Sequence, residues 1–198
     1  MKKQVLFIGG ASAYDTYEDF LIGINNVVID LERSKTVRWN YKLPERLGDE
    51  YEVIKLDMPN RDFADYDVWK IWLEKYLPLL NNNLILIGHS MGGIFLAKYL
   101  SENKTDKDIE GLFLVAPPAI DSKGSLGKFK LDLKVLPRLS EGVEKIHLYF
   151  STDDHIVSID ELEHYKKALP YAYVHIYGDK GHFSLLEFPE LIEDIKNI

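Results

Sequence analysis

Six short apolar runs, each closed by a turn signal, set what this chain can fold into: residues 4–8, 51–56, 84–87, 112–116, 145–150 and 172–177. Several are apolar at consecutive positions, the pattern of strands covered on both faces of a parallel sheet. Between them lie stretches with helical spacing. Residues 67–80 carry Val68, Ile71, Trp72, Tyr76 and Leu79 three and four apart, and residues 91–102 carry Ile94, Phe95, Ala97 and Leu100. Residues 159–169 and 189–198 read as the last two helices, with Pro189 suited to a first helical turn. Strands alternating with helices predict an α/β protein with helices on both faces of the sheet and right-handed crossovers. No repeat or linker divides the 198 residues, so one domain, 1–198, is expected.

Composition removes several functions. The chain has no cysteine, which excludes disulfides, thiolate metal sites and a cysteine nucleophile. Its net charge of -8 argues against nucleic acid and against anionic membrane surfaces as partners. Met1-Lys2-Lys3 precedes an apolar stretch, but that stretch is too short for an export signal and breaks at Gly9-Gly10. No run approaches the roughly 18 apolar residues of a spanning helix. A cytoplasmic protein without a membrane span is the expectation.

The run 84–87 leads into Gly88-His89-Ser90-Met91-Gly92-Gly93 and then into a helix. This is G-x-S-x-G in the setting that gives it meaning: strand, sharp turn, helix. A serine on so tight a turn projects its hydroxyl outward, and glycines two positions to either side avoid collision. The backbone N–H of Met91 then opens a helix and points at the reacting centre, where it favours an oxyanion. Ser90 is therefore the candidate nucleophile.

A serine hydroxyl needs a base. Of the six histidines, His147 and His175 fall within strand runs and read as satisfied side chains on a sheet face. His164 lies in a helix, and His89 belongs to the turn and packs there. His182 follows the last strand and Gly178-Asp179-Lys180-Gly181 and precedes the final helix, which is the place of the base. The acid is expected in Ser151-Thr152-Asp153-Asp154-His155. Asp154, just ahead of the apolar pair Ile156-Val157, is preferred, with Asp153 the alternative. A metal reading of Asp153, Asp154 and His155 lacks ligand spacing, so no metal and no cofactor are expected. Gly9-Gly10-Ala11-Ser12 is the expected source of a second oxyanion donor, the N–H of Ala11 first and Gly10 next. Gly10, Ser12 and Tyr14 become candidate substrate contacts.

Gly88-His89-Ser90-Met91-Gly92-Gly93, Ser151-Thr152-Asp153-Asp154 and Gly181-His182-Phe183, in that order, resemble the α/β-hydrolase superfamily. The nearest likeness is to its small lidless serine hydrolases of the retinoblastoma-binding-protein-nine and YdeN type. It covers the first strand and the chain from Thr36 onward, including Met58-Pro59. The resemblance implies a three-layer fold whose reduced, mostly parallel sheet has about six strands in the order 2-1-3-4-5-6. It implies Ser90, Asp154 and His182 as the triad, supporting Asp154 over Asp153. It also implies hydrolysis of a small carboxylic ester through an acyl-enzyme, with no cofactor. The partner is then a small-molecule ester, and monomer and homodimer stay open. A thioesterase, an amidase or a peptidase would use the same triad. A catalytically silent protein-binding module is the reading from another class.

Two connections, 11–34 and 117–142, are longer than usual and are candidate functional loops. Residues 11–35 also look like added length relative to the family, and Ser158 stands where many relatives have proline. Within 19–34, Phe20, Ile24, Val27, Val28 and Leu31 predict an amphipathic helix. It is expected either to act as an access or lid segment or to pack on the body as ordinary core. Tyr14, Tyr17 and Phe20 are candidates for an aromatic wall.

Overall fold

The computed structural model describes residues 2–120 and 125–198. In chain order it contains β1 (Lys3–Ile8), α1 (Tyr17–Asn25), α2 (Leu31–Lys35), α3 (Trp39–Leu47), β2 (Tyr51–Leu56), α4 (Tyr66–Tyr76), β3 (Leu84–His89), α5 (Met91–Glu102), β4 (Ile109–Val115), β5 (Val143–Ser151), α6 (Glu161–Ala168), β6 (Tyr173–Tyr177) and α7 (Pro189–Lys196). One six-stranded sheet runs β2-β1-β3-β4-β5-β6, and every pairing is parallel.

The consecutive apolar runs explain the layering. Alternate residues of a strand point to opposite faces, so each buried strand feeds two cores. Leu6, Ile8, Leu84, Leu86, Leu112, Leu114 and Leu148 meet Trp69 and Leu73 of α4, Ile94 and Phe95 of α5, and Leu162 and Tyr165 of α6. Val5, Phe7, Ile85, Ile87, Phe113, Val115 and Tyr149 meet Trp39 and Leu43 of α3 and Leu191 and Ile195 of α7. Each such fully buried side chain contributes roughly 1.5–3 kcal/mol. The result is the three-layer α/β-hydrolase architecture with the expected strand order.

The run 172–177 supplies β6, an edge strand with Tyr173 and Ile176 more than half exposed. One expectation changes. The helix expected over 19–34 is two helices. Thr16 caps α1, accepting from the N–H of Asp19 at 3.1 Å. Asn25-Asn26 and the β-branched run Val27-Val28-Ile29 then interrupt it, since these residues lose more on entering a helix than straight-chain ones do. The core alternative fails, because α1 buries none of its residues. Ile22, Val28, Ile29 and Leu31 are 61%, 90%, 74% and 68% exposed. The segment is held instead by an aromatic cluster in which Tyr14, Tyr17 and Phe20 surround Phe63, with Phe20 and Phe63 5.3 Å apart.

No helix among the described residues is long and apolar enough to cross a membrane.

Candidate active site

The carboxyl ends of parallel strands gather the site, as is usual for open α/β sheets. Ser90 follows β3, Asp154 follows β5, His182 follows β6, and Gly10 and Ala11 follow β1.

Ser90 sits at φ 56° and ψ -120°, a strained conformation for a side chain with a Cβ. The surroundings enforce it. The N–H of Ser90 donates to the carbonyl of Val115 at 2.8 Å, and the Ser90 carbonyl accepts from Gly93 at 2.8 Å. The two flanking glycines are sterically required. A Cβ at Gly88 would come within 2.5 Å of the Gly92 carbonyl oxygen, and one at Gly92 would overlap the carbonyl of Ile8. The turn therefore lies hard against β1 and carries Ser90 to the mouth of a cleft of about 970 Å³.

His182 reaches Ser90 from the loop after β6. Its Nε2 is 2.9 Å from Ser90 Oγ, and its Nδ1 is 2.8 Å from Asp154 Oδ2. The Asp154 side chain is 2% exposed, while His182 keeps 12%. Burial alone would push Asp154 upward. The hydrogen bond and charge of His182, with backbone N–H groups of Ile156 and Val157 donating to Oδ1, outweigh it and hold the carboxyl below its ordinary value. Asp154 is thus an anion that fixes which ring nitrogen of His182 carries the proton.

Asp153 does something else. Its Oδ1 accepts from Ser151 Oγ at 2.5 Å and from the N–H of Gly181 at 2.9 Å. It ties the turn after β5 to the loop carrying His182, with Gly181 and Phe183 both at positive φ. The Ser151 hydrogen bond, then that of Gly181, keep it below the usual carboxylate range. Trp39 fastens the other side of this loop, donating from Nε1 to the Phe183 carbonyl at 2.8 Å.

Two further residues support the site, His89 from within the serine turn and Arg61 from outside any motif. His89 places Nε2 2.9 Å from the carbonyl oxygen of His182, so that nitrogen carries the proton. Burial, followed by the neighbouring His182, lowers His89 to about 4 and keeps it neutral. Arg61 donates from Nε and from a terminal guanidinium nitrogen to the Gly10 carbonyl, at 3.1 and 2.7 Å. Gly10 itself abuts Ser90, since a Cβ there would sit 3.3 Å from Ser90 Cβ.

Gly10, Ala11 and Ser12 line the cleft with Ser90 and His182. Tyr14 is not among the lining residues. It packs in the aromatic cluster with its hydroxyl against Gly23. Met91 is buried beside Ser90 at the start of α5. His164 lies in α6, as expected. A smaller hollow of about 520 Å³ by α7 contains none of these groups.

The fold and the serine-bearing turn together define an α/β-hydrolase. Residues 27–187 match the serine hydrolase family, and the chain belongs to that family. Among solved structures it is similar to the ydeN gene product of B. subtilis, with TM-score 0.76 and 21% identity over 99% of this chain and 98% of that one. It is also similar to a lipase-esterase related protein of Clostridium acetobutylicum, with TM-score 0.62 and 15% identity over 98% and 93% of the two chains. An esterase of a Rhodococcus species aligns with TM-score 0.58 and 14% identity over 99% and 90%. No curated protein matches the sequence.

Proposed function

We propose that this hydrolase cleaves a small carboxylic ester by two-step acyl transfer, with Ser90, His182 and Asp154 as its triad. The observation that carries the reading is the unbroken line from Asp154 Oδ2 through His182 to Ser90 Oγ, with links of 2.8 and 2.9 Å, opening on a cleft. Ser90 Oγ attacks the ester carbonyl while His182 Nε2 takes its proton. Asp154 stabilises the imidazolium that forms. His182 then returns the proton to the departing alcohol. Water repeats the cycle, giving its proton to His182 and releasing the acid.

The N–H groups of Met91 and Ala11 bind the oxyanion in this reading. Arg61 supports the assignment of Ala11. In a trans peptide the carbonyl oxygen and the following N–H point in opposite directions. Clamping the Gly10 oxygen therefore fixes the direction of the Ala11 N–H, and the cationic clamp also polarises that peptide toward donating. Arg61 is a positioning residue, acting through the peptide. Likeness to a lipase-esterase related protein and to an esterase supports an ester substrate, and the same triad would serve a thioester.

Residues 11–35 act as an access segment in the same reading. The segment begins in the cleft wall at Ala11 and Ser12, and Thr36 and Arg38 just beyond it line the cleft again.

A fluorophosphonate probe tests the triad. Wild-type protein should be labelled and should hydrolyse short-chain nitrophenyl esters, and Ser90→Ala should do neither. Folded wild-type protein that resists the probe would sink the assignment and favour a binding module. Deleting residues 14–31 tests the access role. A changed preference between short and long acyl chains is expected, and an unchanged preference in a folded variant would refute it.

A further inference from the structure

A second group of chemistry-bearing side chains lies on the sheet face covered by α7, and the proposed hydrolysis uses none of them. His147 of β5, His175 of β6 and Asp194 of α7 turn one ligand atom each toward a common point, with no pair of these atoms more than 4.8 Å apart. We propose that they bind a divalent transition-metal ion that fastens the edge strand β6 and helix α7 to the body of the sheet.

Two of the three spacings suit coordination directly, and the third, from His147 to Asp194, falls within 4.8 Å. Ligand atoms on a tetrahedral Zn²⁺ stand roughly 3.3 Å from one another, given bonds of about 2.0–2.1 Å. Here His147 Nδ1 and His175 Nε2 are 3.1 Å apart, and His175 Nε2 and Asp194 Oδ2 are 3.6 Å apart. Hydrogen bonding leaves this cluster half used. Two neutral rings meeting nitrogen to nitrogen share one proton, and 3.6 Å is too long for a hydrogen bond to the carboxylate. With the proton of each ring carried on its other nitrogen, the Asp194 carboxylate faces two imidazole lone pairs, and a dication would satisfy all three.

The ligands are held in place beforehand. His147 is stacked with Phe113 and with Tyr173, both at 4.7 Å between ring centroids. His175 lies on Tyr149 at 4.4 Å with planes 7° apart. The Tyr149 hydroxyl donates to Asp194 Oδ2 at 2.6 Å and so orients the carboxylate, the outer-shell support that metal ligands commonly have. The side chains of His175 and Asp194 are each 25% exposed, which leaves an approach for the ion and a place for water as fourth ligand. Two imidazoles and a carboxylate form a borderline donor set, suited to Zn²⁺ or Co²⁺ rather than to Mg²⁺ or Ca²⁺.

The test uses the full chain, freed of metal by chelation and titrated with ZnCl₂ in a calorimeter, with Co²⁺ absorption as a second readout. One ion per chain, a raised thermal midpoint and the visible bands of low-coordinate Co²⁺ are expected. His175→Gln should weaken Zn²⁺ binding by more than about 10-fold and abolish the rise in midpoint. That position is on an exposed edge strand, and fluorophosphonate labelling of Ser90 checks that the variant folds. Wild-type protein that binds no Zn²⁺ would overturn the proposal. So would stoichiometric binding that His175→Gln leaves unchanged, because the ion would then sit on other histidines.

Discussion

Among the described residues two histidines lie within 4 Å of an aspartate, and they differ in how each ring is used. In the cleft, His182 has a different partner on each nitrogen: Asp154 at 2.8 Å on Nδ1 and Ser90 at 2.9 Å on Nε2. On the α7 face, His175 offers one nitrogen, Nε2, to two groups at once, His147 at 3.1 Å and Asp194 at 3.6 Å. A ring bridged through both nitrogens passes a proton along a line. A ring whose single nitrogen converges with other donors concentrates negative potential at a point. The difference follows from the backbone. His182 sits on a loop pinned by Trp39, Asp153 and His89, which can aim its ring between two neighbours. His147 and His175 lie on adjacent parallel strands, whose pleat turns both rings to the same face.

The sharpest way to break this comparison is to remove the acid from each pair. Asp154→Asn should lower ester turnover by about four orders of magnitude, as loss of a triad member does. Asp194→Asn should leave turnover close to wild type, since Asp194 touches none of the cleft residues. Equal losses in kcat would erase the distinction. Asp153→Asn should fall far nearer to Asp194→Asn than to Asp154→Asn in kcat, although the two aspartates are adjacent, because Asp153 holds a loop and does not touch the imidazole.

A smaller effect sharpens the reading of the cleft. Arg61→Ala should lower kcat by roughly 10- to 100-fold, less than loss of an oxyanion donor itself, with KM nearly unchanged and with partial rescue in Arg61→Lys. A change in KM alone would make Arg61 a substrate contact and remove its positioning role.

The smallest effect concerns stability against pH. His89 is lowered to about 4 in the folded protein, against about 6.5 when unfolded. Between those values the unfolded chain takes up a proton and the folded one does not. Stability should therefore fall as pH drops from about 6.5 to about 4, by at most about 1.4 kcal/mol per pH unit from this group. His89→Gln keeps an N–H for the His182 carbonyl but cannot titrate. Its thermal midpoint should vary less steeply over that window, and parallel curves would show that His89 contributes nothing.

Much of the fold was legible because the strands are buried. Consecutive apolar residues in 84–87 and 112–116 feed two cores at once, and no amphipathic helix needs that pattern. The turn at Ser90 was legible because its motif is contiguous, although Gly92 answers a steric demand made by β1. Residues 19–34 misled because apolar spacing was read through Asn25-Asn26, and spacing cannot say whether an apolar face is covered. Arg61 was illegible, since its partner Gly10 is far away in sequence and an exposed arginine carries no pattern.

By itself the sequence determined the layer order, through periodicity, and the serine turn, through a contiguous motif; His182 was a candidate through its place between the last strand run and the final helix. Only the tertiary structure decided which neighbouring aspartate meets His182, that Arg61 clamps the Gly10 peptide, and that His147, His175 and Asp194 converge. These contacts join residues 28 to 51 positions apart or carried on separate elements. Parallel pairing and the crossover helices bring them together, and no local preference of the chain encodes such a meeting.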